Sequence, residues 1–329
     1  METNGEIHTG VGGNSKNKKL ETETCVNDYS SQMMLKKEII KIYNNNENTN
    51  IEKENTFLND NEQVSVDMVK LKSVFSQSKK LILEIMSSDE AEKFITIEIN
   101  PFGYVNSKRI KKDGITYFGY DTGEGQYQVD FILKSNDNYY YDDAFNGRHF
   151  MIKFNPNDLT YYLKDLGRGF GTFIKIQEWT ELVNNLLLNI GENYIVFSFG
   201  DEEDEEEEDE KNNNINYNKG DNSLNIKIFS LNAKQKVYKL LPSDCPITIG
   251  RSSENSIYID DDMLSRIHCT IDFSNNKWYI QDGLAKNGIQ DDEIKKSTNG
   301  SWIYAYEETP IVNKMIFKAN HNLFICNLV

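Results

Sequence analysis

The sequence predicts an all-β fold: two β-sandwiches in tandem, preceded by a partly disordered or helical N-terminal region. Two observations predict the sandwiches. Short runs rich in Ile, Val, Phe and Tyr follow one another from Lys93 to Phe199, and again from Asn225 to Val329, each bounded by turn residues and too short for a globular helix. Between the two series stand ten consecutive carboxylates, Asp201 to Glu210, which mark a boundary between units.

Residues 1–60 are polar and rich in Asn, Glu, Lys and Thr, with too little apolar surface to offset the entropy of ordering, so they read as largely disordered. Met33 to Tyr43 interrupts them with apolar residues at near-helical spacing. Residues 61–90 read as a helical segment: from Val64 to Met86 the residues Val64, Met68, Leu71, Phe75 and Ile82 recur largely at steps of three and four. Residues 91–200 then form the first sandwich, with runs such as FITIEI, GITYFGY, HFMIKF, TYYLKDL and NYIVFSF. The stretch from Trp179, WTELVNNLLLNIGE, fits either a partial helix or a strand and turn. Residues 201–223, the acidic run and its Asn-rich sequel, read as an extended linker. Residues 224–329 form the second sandwich, with nine short runs in about a hundred residues.

Composition excludes several functions. The net charge is −16, but falls to −6 without the acidic run. No Lys/Arg-dense stripe is present to track a phosphate backbone, so nucleic acid is not the expected partner. No apolar run approaches the roughly 20 residues that span a bilayer, and METNGEIHTG lacks an apolar signal core, so an intracellular protein without membrane association is expected, with nucleus or cytoplasm left undetermined. Cys25, Cys245, Cys269 and Cys326 have no metal-ligand spacing, and Cys269 and Cys326 lie in apolar runs as buried thiols would. Neither a metal site nor a cofactor is expected. Oligomeric state is not legible.

Three loops of the second sandwich hold the residues with chemistry to offer. Gly250-Arg251-Ser252 follows one strand, Leu264-Ser265-Arg266-Ile267 precedes the next, and Ser297-Thr298-Asn299-Gly300 precedes a third. A guanidinium, hydroxyls and an Asn suit recognition of a phosphate monoester, which needs geometrically defined charge-assisted bonds plus neutral donors. The same set lacks a nucleophile and base, so catalysis is not expected. His268, at the start of an apolar strand, fits a loop-bracing hydrogen bond better than proton transfer.

These motifs, GRSSENSIYIDDDMLSRIHCTI, then WYIQDG, then STNGSW, resemble the forkhead-associated (FHA) family pattern of Gly-Arg, Ser-x-x-His, an Asp-Gly-like turn and Ser/Thr-x-Asn-Gly. The resemblance implies an eleven-stranded two-sheet sandwich that binds phosphothreonine in an extended peptide. It implies that Arg251 and Ser265 hold the phosphate, that Thr298 assists, and that Asn299 bonds the peptide backbone. Gly250 and Gly300 then allow tight loops and His268 supports the Ser265 loop. Arg266 either adds positive charge or pairs with Asp261 or Asp262. One departure is Leu284 to Lys296, an insertion placed to shape specificity or shield the pocket, and cheap in closure entropy.

The first sandwich is similar to the family with altered ligand residues. Tyr120 stands at the position of Arg251, Asn146 at that of Ser265, and His149 is kept; DLGRGFGTF carries Arg168 where the family has Ser. Loss of the fixed cation argues against phosphothreonine binding there; the domain reads as a degenerate one that packs or binds unphosphorylated protein, with a rearranged anion site from Arg148 and Arg168 as the alternative. The expected function is a phosphothreonine-dependent adaptor whose partner is a threonine-phosphorylated protein. The alternative is a non-catalytic structural component of an assembly that binds protein independently of phosphate.

Overall fold

The computed structural model describes residues 68–87, 94–109, 113–120, 129–133, 146–200, 222–230, 234–290 and 293–329. The N-terminal 60 residues, the Met33 to Tyr43 segment and the acidic run lie outside the described residues. In the first half, α1 (Met68–Val74) is followed by β1 (Leu81–Ser87), β2 (Phe94–Asn100), β3 (Gly103–Tyr104), β4 (Ile115–Tyr120), β5 (Phe131–Ile132), β6 (Gly147–Asn155), β7 (Thr160–Asp165), β8 (Thr172–Lys175), β9 (Thr180–Glu181), β10 (Leu186–Ile190) and β11 (Asn193–Phe199). The second half holds β12 (Leu224–Ser230), β13 (Lys236–Leu240), β14 (Ile247–Gly250), β15 (Ile257–Tyr258), β16 (Cys269–Ser274), β17 (Lys277–Asp282), β18 (Trp302–Tyr304), β19 (Thr309–Pro310), β20 (Ile316–Ala319) and β21 (Asn322–Leu328). The all-β expectation holds.

The helical segment is shorter than its periodicity predicted. Among the described residues of this segment only Met68–Val74 is helical, with Leu71 alone buried, and the amides of Gln77 and Ser78 close it on the Val74 carbonyl. From Leu81 the buried residues recur every second position, at Leu81, Leu83 and Ile85. That strand is held on one side by β2 and on the other by β21, whose Leu328 stands opposite Leu81. A partner almost 250 positions away outweighs a local three-to-four spacing. The Trp179 stretch resolves as strand and turn, β9 then β10, closing at Gly191 in the left-handed region.

Pairing does not follow the division of the chain into two self-contained sandwiches. One eleven-stranded sheet runs in the order β13-β12-β11-β10-β18-β8-β20-β21-β1-β2-β3, and each half of it is backed by a five-stranded sheet, β15-β14-β16-β17-β9 or β19-β7-β6-β4-β5. The C-terminal strands β20 and β21 therefore complete the sandwich begun by β1 to β8. Phe317, Phe324 and Cys326 sit in one core with Leu81, Phe118, Phe150 and Leu163. Conversely β10 and β11 complete the sandwich of β12 to β17, where Leu188, Ile195 and Phe197 pack with Ile226, Ile249, Ile271 and Trp278.

The crossing points lie just after β8 and β18, which pair with each other antiparallel, Ile174 opposite Ile303. Each crossing is tied to the other strand: the Ile176 amide donates to the Ser301 carbonyl and the Ala305 amide to Thr172. The expected boundaries at 200 and 224 are thus corrected. We refer to the body of 68–175 with 305–329 as sandwich 1, and to 176–304 as sandwich 2. The linker is also shorter than expected, because Ser223 is buried and the Asn222 carbonyl accepts the Trp278 indole N–H. Both terminal hairpins, LLLNIGENYIVFSF and IFKANHNLFICNL, offer an apolar face to a core, the first buried along all of β10 and the second in strict alternation along β20 and most of β21.

Candidate functional site

At one end of sandwich 2 the structure brings the three predicted loops together. β14 ends at Gly250, whose Cα hydrogen points into the 265–266 backbone; a Cβ there would lie 2.4 Å from the Arg266 carbonyl oxygen. The close approach lets the Arg251 amide donate to the Ser265 carbonyl (3.2 Å) and the Ser252 amide to Arg266 (3.1 Å). Asn255, which sequence reasoning did not single out, fastens the same pair of loops: its side-chain amide donates to the carbonyls of Ser252 (2.8 Å) and Arg266 (2.6 Å).

His268 braces the second and third loops. Its Nδ1 accepts the Ser265 amide at 3.1 Å, so the proton sits on Nε2, which donates to the Gly300 carbonyl at 3.0 Å. The ring is fully buried, and burial lowers its pKa below the ordinary imidazole value. Beneath the third loop Asp282 is buried and accepts from Ser297 Oγ (2.6 Å), Ser301 Oγ (2.8 Å) and the Ser297 amide (3.2 Å). It lies in the WYIQDG run, where its position before Gly283 was the available signal.

With the loops so held, Ser265 Oγ lies 3.3 Å from Thr298 Oγ1 and accepts the Thr298 amide at 3.0 Å. The Asn299 amide donates to the Met263 carbonyl at 2.7 Å, and the Asn299 carbonyl accepts the Trp302 indole N–H at 2.9 Å. Arg251, Arg266, Thr298 and Asn299 are exposed and Ser265 is half-buried. Among the described residues neither Arg251 nor Arg266 has a side-chain ion pair or hydrogen bond. The pairing of Arg266 with Asp261 or Asp262 is therefore not made. Asp261 instead accepts from the Glu192 amide (3.0 Å), Asn193 Nδ2 (2.7 Å) and the Met263 amide (2.7 Å). A turn contributed by the first half of the chain thereby holds a loop of the second.

The described residues of the 284–296 insertion, 284–290 and 293–296, are tied to one another and to the sheet. The Leu284 and Lys295 backbones bond each other, the Ala285 amide donates to Thr270 Oγ1, and the Ile289 amide donates to Asp272. Thr270 and Asp272 are on β16, and Lys296 Nζ turns to Gln177 and Gln281.

In sandwich 1 the corresponding place is filled. Tyr120 is buried edge-on against His149, with ring centroids 5.0 Å apart. His149 Nδ1 accepts the Asn320 side-chain amide at 2.8 Å, and Asn320 Oδ1 accepts the Phe170 amide, so the exchanged C-terminal turn enters this site. The Arg148 guanidinium lies 3.9 Å over the Tyr117 ring, a cation–π contact. Asn146 Oδ1 is buried and has no hydrogen-bond partner among the described residues, whereas the half-buried Ser265 Oγ is engaged by Thr298.

Compared with known proteins, residues 247–317 match the family model described as FHA domain. The chain carries an FHA domain. The FHA match starts in β14 and ends in β20, so it spans the three loops above and follows the sequence across the exchange into sandwich 1. A solved structure titled Rv0020c_FHA Structure is similar at 18% identity, over 30% of this chain and 86% of that one, with a TM-score of 0.15. No curated protein matches the chain. FHA domains are, at the level of the family, phosphothreonine-binding protein-interaction modules and typically non-catalytic. Among the described residues no helix is long and apolar enough to cross a membrane, and no three of His, Cys, Asp and Glu gather as metal ligands.

Proposed function

We propose that the chain is an adaptor that docks a threonine-phosphorylated protein on the loops of sandwich 2. Arg251 supplies the fixed cation for the phosphate, with Ser265 and Thr298 as neutral donors, Arg266 adding positive charge at the rim, and Asn299 bonding the peptide backbone. The observation that carries the reading is the exposed Arg251 guanidinium, without a carboxylate partner among the described residues, beside hydroxyls that a buried histidine and a buried carboxylate hold in place. A cation kept free of acids is what a doubly charged phosphate monoester requires. Sandwich 1 takes no part in phosphate binding, because Tyr120 and the Phe170 turn occupy the space and Arg148 is committed to Tyr117.

The test uses the full chain with an oriented phosphothreonine peptide library and its unphosphorylated counterpart. Selective capture is expected, falling by at least about tenfold in Arg251→Ala and in Ser265→Ala, as loss of a charge-assisted bond implies. Equal capture of both libraries, or capture indifferent to Arg251→Ala, refutes the reading and leaves a phosphate-independent structural role.

A further inference from the structure

The seam between the sandwiches holds a second polar group with no assigned work. On the outer face of the large sheet, Phe173 and Trp302 are only 3% and 7% exposed although they face away from both cores. Phe173 lines a cleft of about 210 Å3 together with Phe170, Tyr194, His321, Asn189 and Lys318, and Trp302 lies against the Lys318 ammonium without lining the cleft. Lys318 Nζ lies 4.7 Å from the Trp302 ring centre and 5.6 Å from that of Phe173, and donates to Asn189 Oδ1 at 2.8 Å.

An ammonium has three donors, and here a single neutral oxygen takes one of them. Among the described residues no carboxylate pairs with it, and burial alone lowers its pKa to about 8. A desolvated cation without a counter-ion is costly, and in a cleft with aromatic walls it marks a binding site for an anion. One cation, with the Glu192 side of the cleft acidic, does not suit a dianionic phosphate. It suits a single carboxylate with its body against the rings.

We propose that this cleft binds a monocarboxylate with a small apolar or aromatic body, held by Lys318 and packed against Phe170, Phe173 and Tyr194. Both exchanged hairpins contribute to it, Asn189 from one and Lys318 from the other. The carboxylate comes from a peptide C-terminus or from a free small acid.

The probes are phenylacetate, its neutral analogue phenylacetamide, and acetyl-Gly-Phe as acid and as C-terminal amide, each titrated into the full chain while the Trp302 indole N–H is followed by NMR. No phosphopeptide is present, so the result is independent of the Arg251 site. A saturable shift with an acid, at least about tenfold weaker with its amide, is expected, as removal of a buried ion pair implies; the tighter acid names the source. Lys318→Met keeps the stem, and in a protein with an otherwise native spectrum it abolishes the shift. No shift with either acid, an equal response to the amides, or an undiminished response in Lys318→Met overturns the proposal. Lys318→Arg, which keeps the charge, restores binding where Lys318→Met has disturbed the fold; absence of binding in a folded Lys318→Arg protein counts against it.

Discussion

If the hairpins are exchanged, cutting the chain between β11 and β12 does not release two proteins. A protease site placed in the acidic run Asp201 to Glu210 separates the fragments covalently, but Phe317, Phe324, Ile311 and Met315 of the second fragment remain in the core of sandwich 1. Leu182, Leu186, Leu188, Ile190, Ile195 and Phe197 of the first remain in the core of sandwich 2. At roughly 2 kcal/mol for each large apolar side chain, the two sets together represent on the order of 20 kcal/mol of gross burial, against an association cost of about 4–15 kcal/mol. The ladders β1:β21 and β11:β12 must also break for the fragments to part. The cut protein is therefore expected to elute with the uncut chain in size-exclusion chromatography at micromolar concentration, and to resolve into two fragments only in denaturant. Two separately eluting fragments, each keeping β-sheet circular dichroism under native conditions, would refute the exchange and restore two self-contained sandwiches.

Three further predictions concern the FHA loops. His268→Ala removes two buried hydrogen bonds and leaves a void, which costs about 3 kcal/mol in denaturant unfolding, and it weakens phosphothreonine-peptide binding by freeing the Ser265 loop; undiminished affinity in the folded variant would contradict the bracing role. Because burial lowers the folded-state pKa of His268, the unfolded chain takes up the proton first as pH falls through about 6.5. This residue's contribution to stability is thus full above that pH and is lost below it, down through the folded-state pKa, and the difference between the stability–pH curves of the native chain and His268→Ala measures it. Asp261→Ala cuts the tie from Glu192 and Asn193 to the loop that carries Met263, and through it Asn299; phosphopeptide dissociation should quicken by roughly three- to tenfold, consistent with losing a few partly exposed hydrogen bonds, and an unchanged off-rate in surface-plasmon measurements counts against the coupling.

Most strands of this protein are legible because their cause is local. β-branched and aromatic residues alternate between turn residues, and that pattern marks FITIEI, HFMIKF and HCTIDF wherever their partners lie. The loop chemistry is legible for the same reason: Gly250-Arg251, Ser265 with His268, and Thr298-Asn299-Gly300 are short motifs whose spacing reflects one turn each. The segment from Leu81 to Met86 misled because its apolar spacing fits a helix as well as a strand, and β21 decides between them from the other end of the chain. Asp261 and Asn255 were missed because their work is to join loops far apart in sequence.

The sequence alone determined that the chain is all-β and that its second half carries the FHA motifs. Only the tertiary structure decided which hairpin closes which sandwich, because the pairings that choose between them, β10 with β18 and β20 with β8, join residues far apart in the sequence. From that choice follow the filling of the Tyr120 site by Asn320, the fastening of the Arg251 site by Asn193, and the position of Lys318 opposite Asn189.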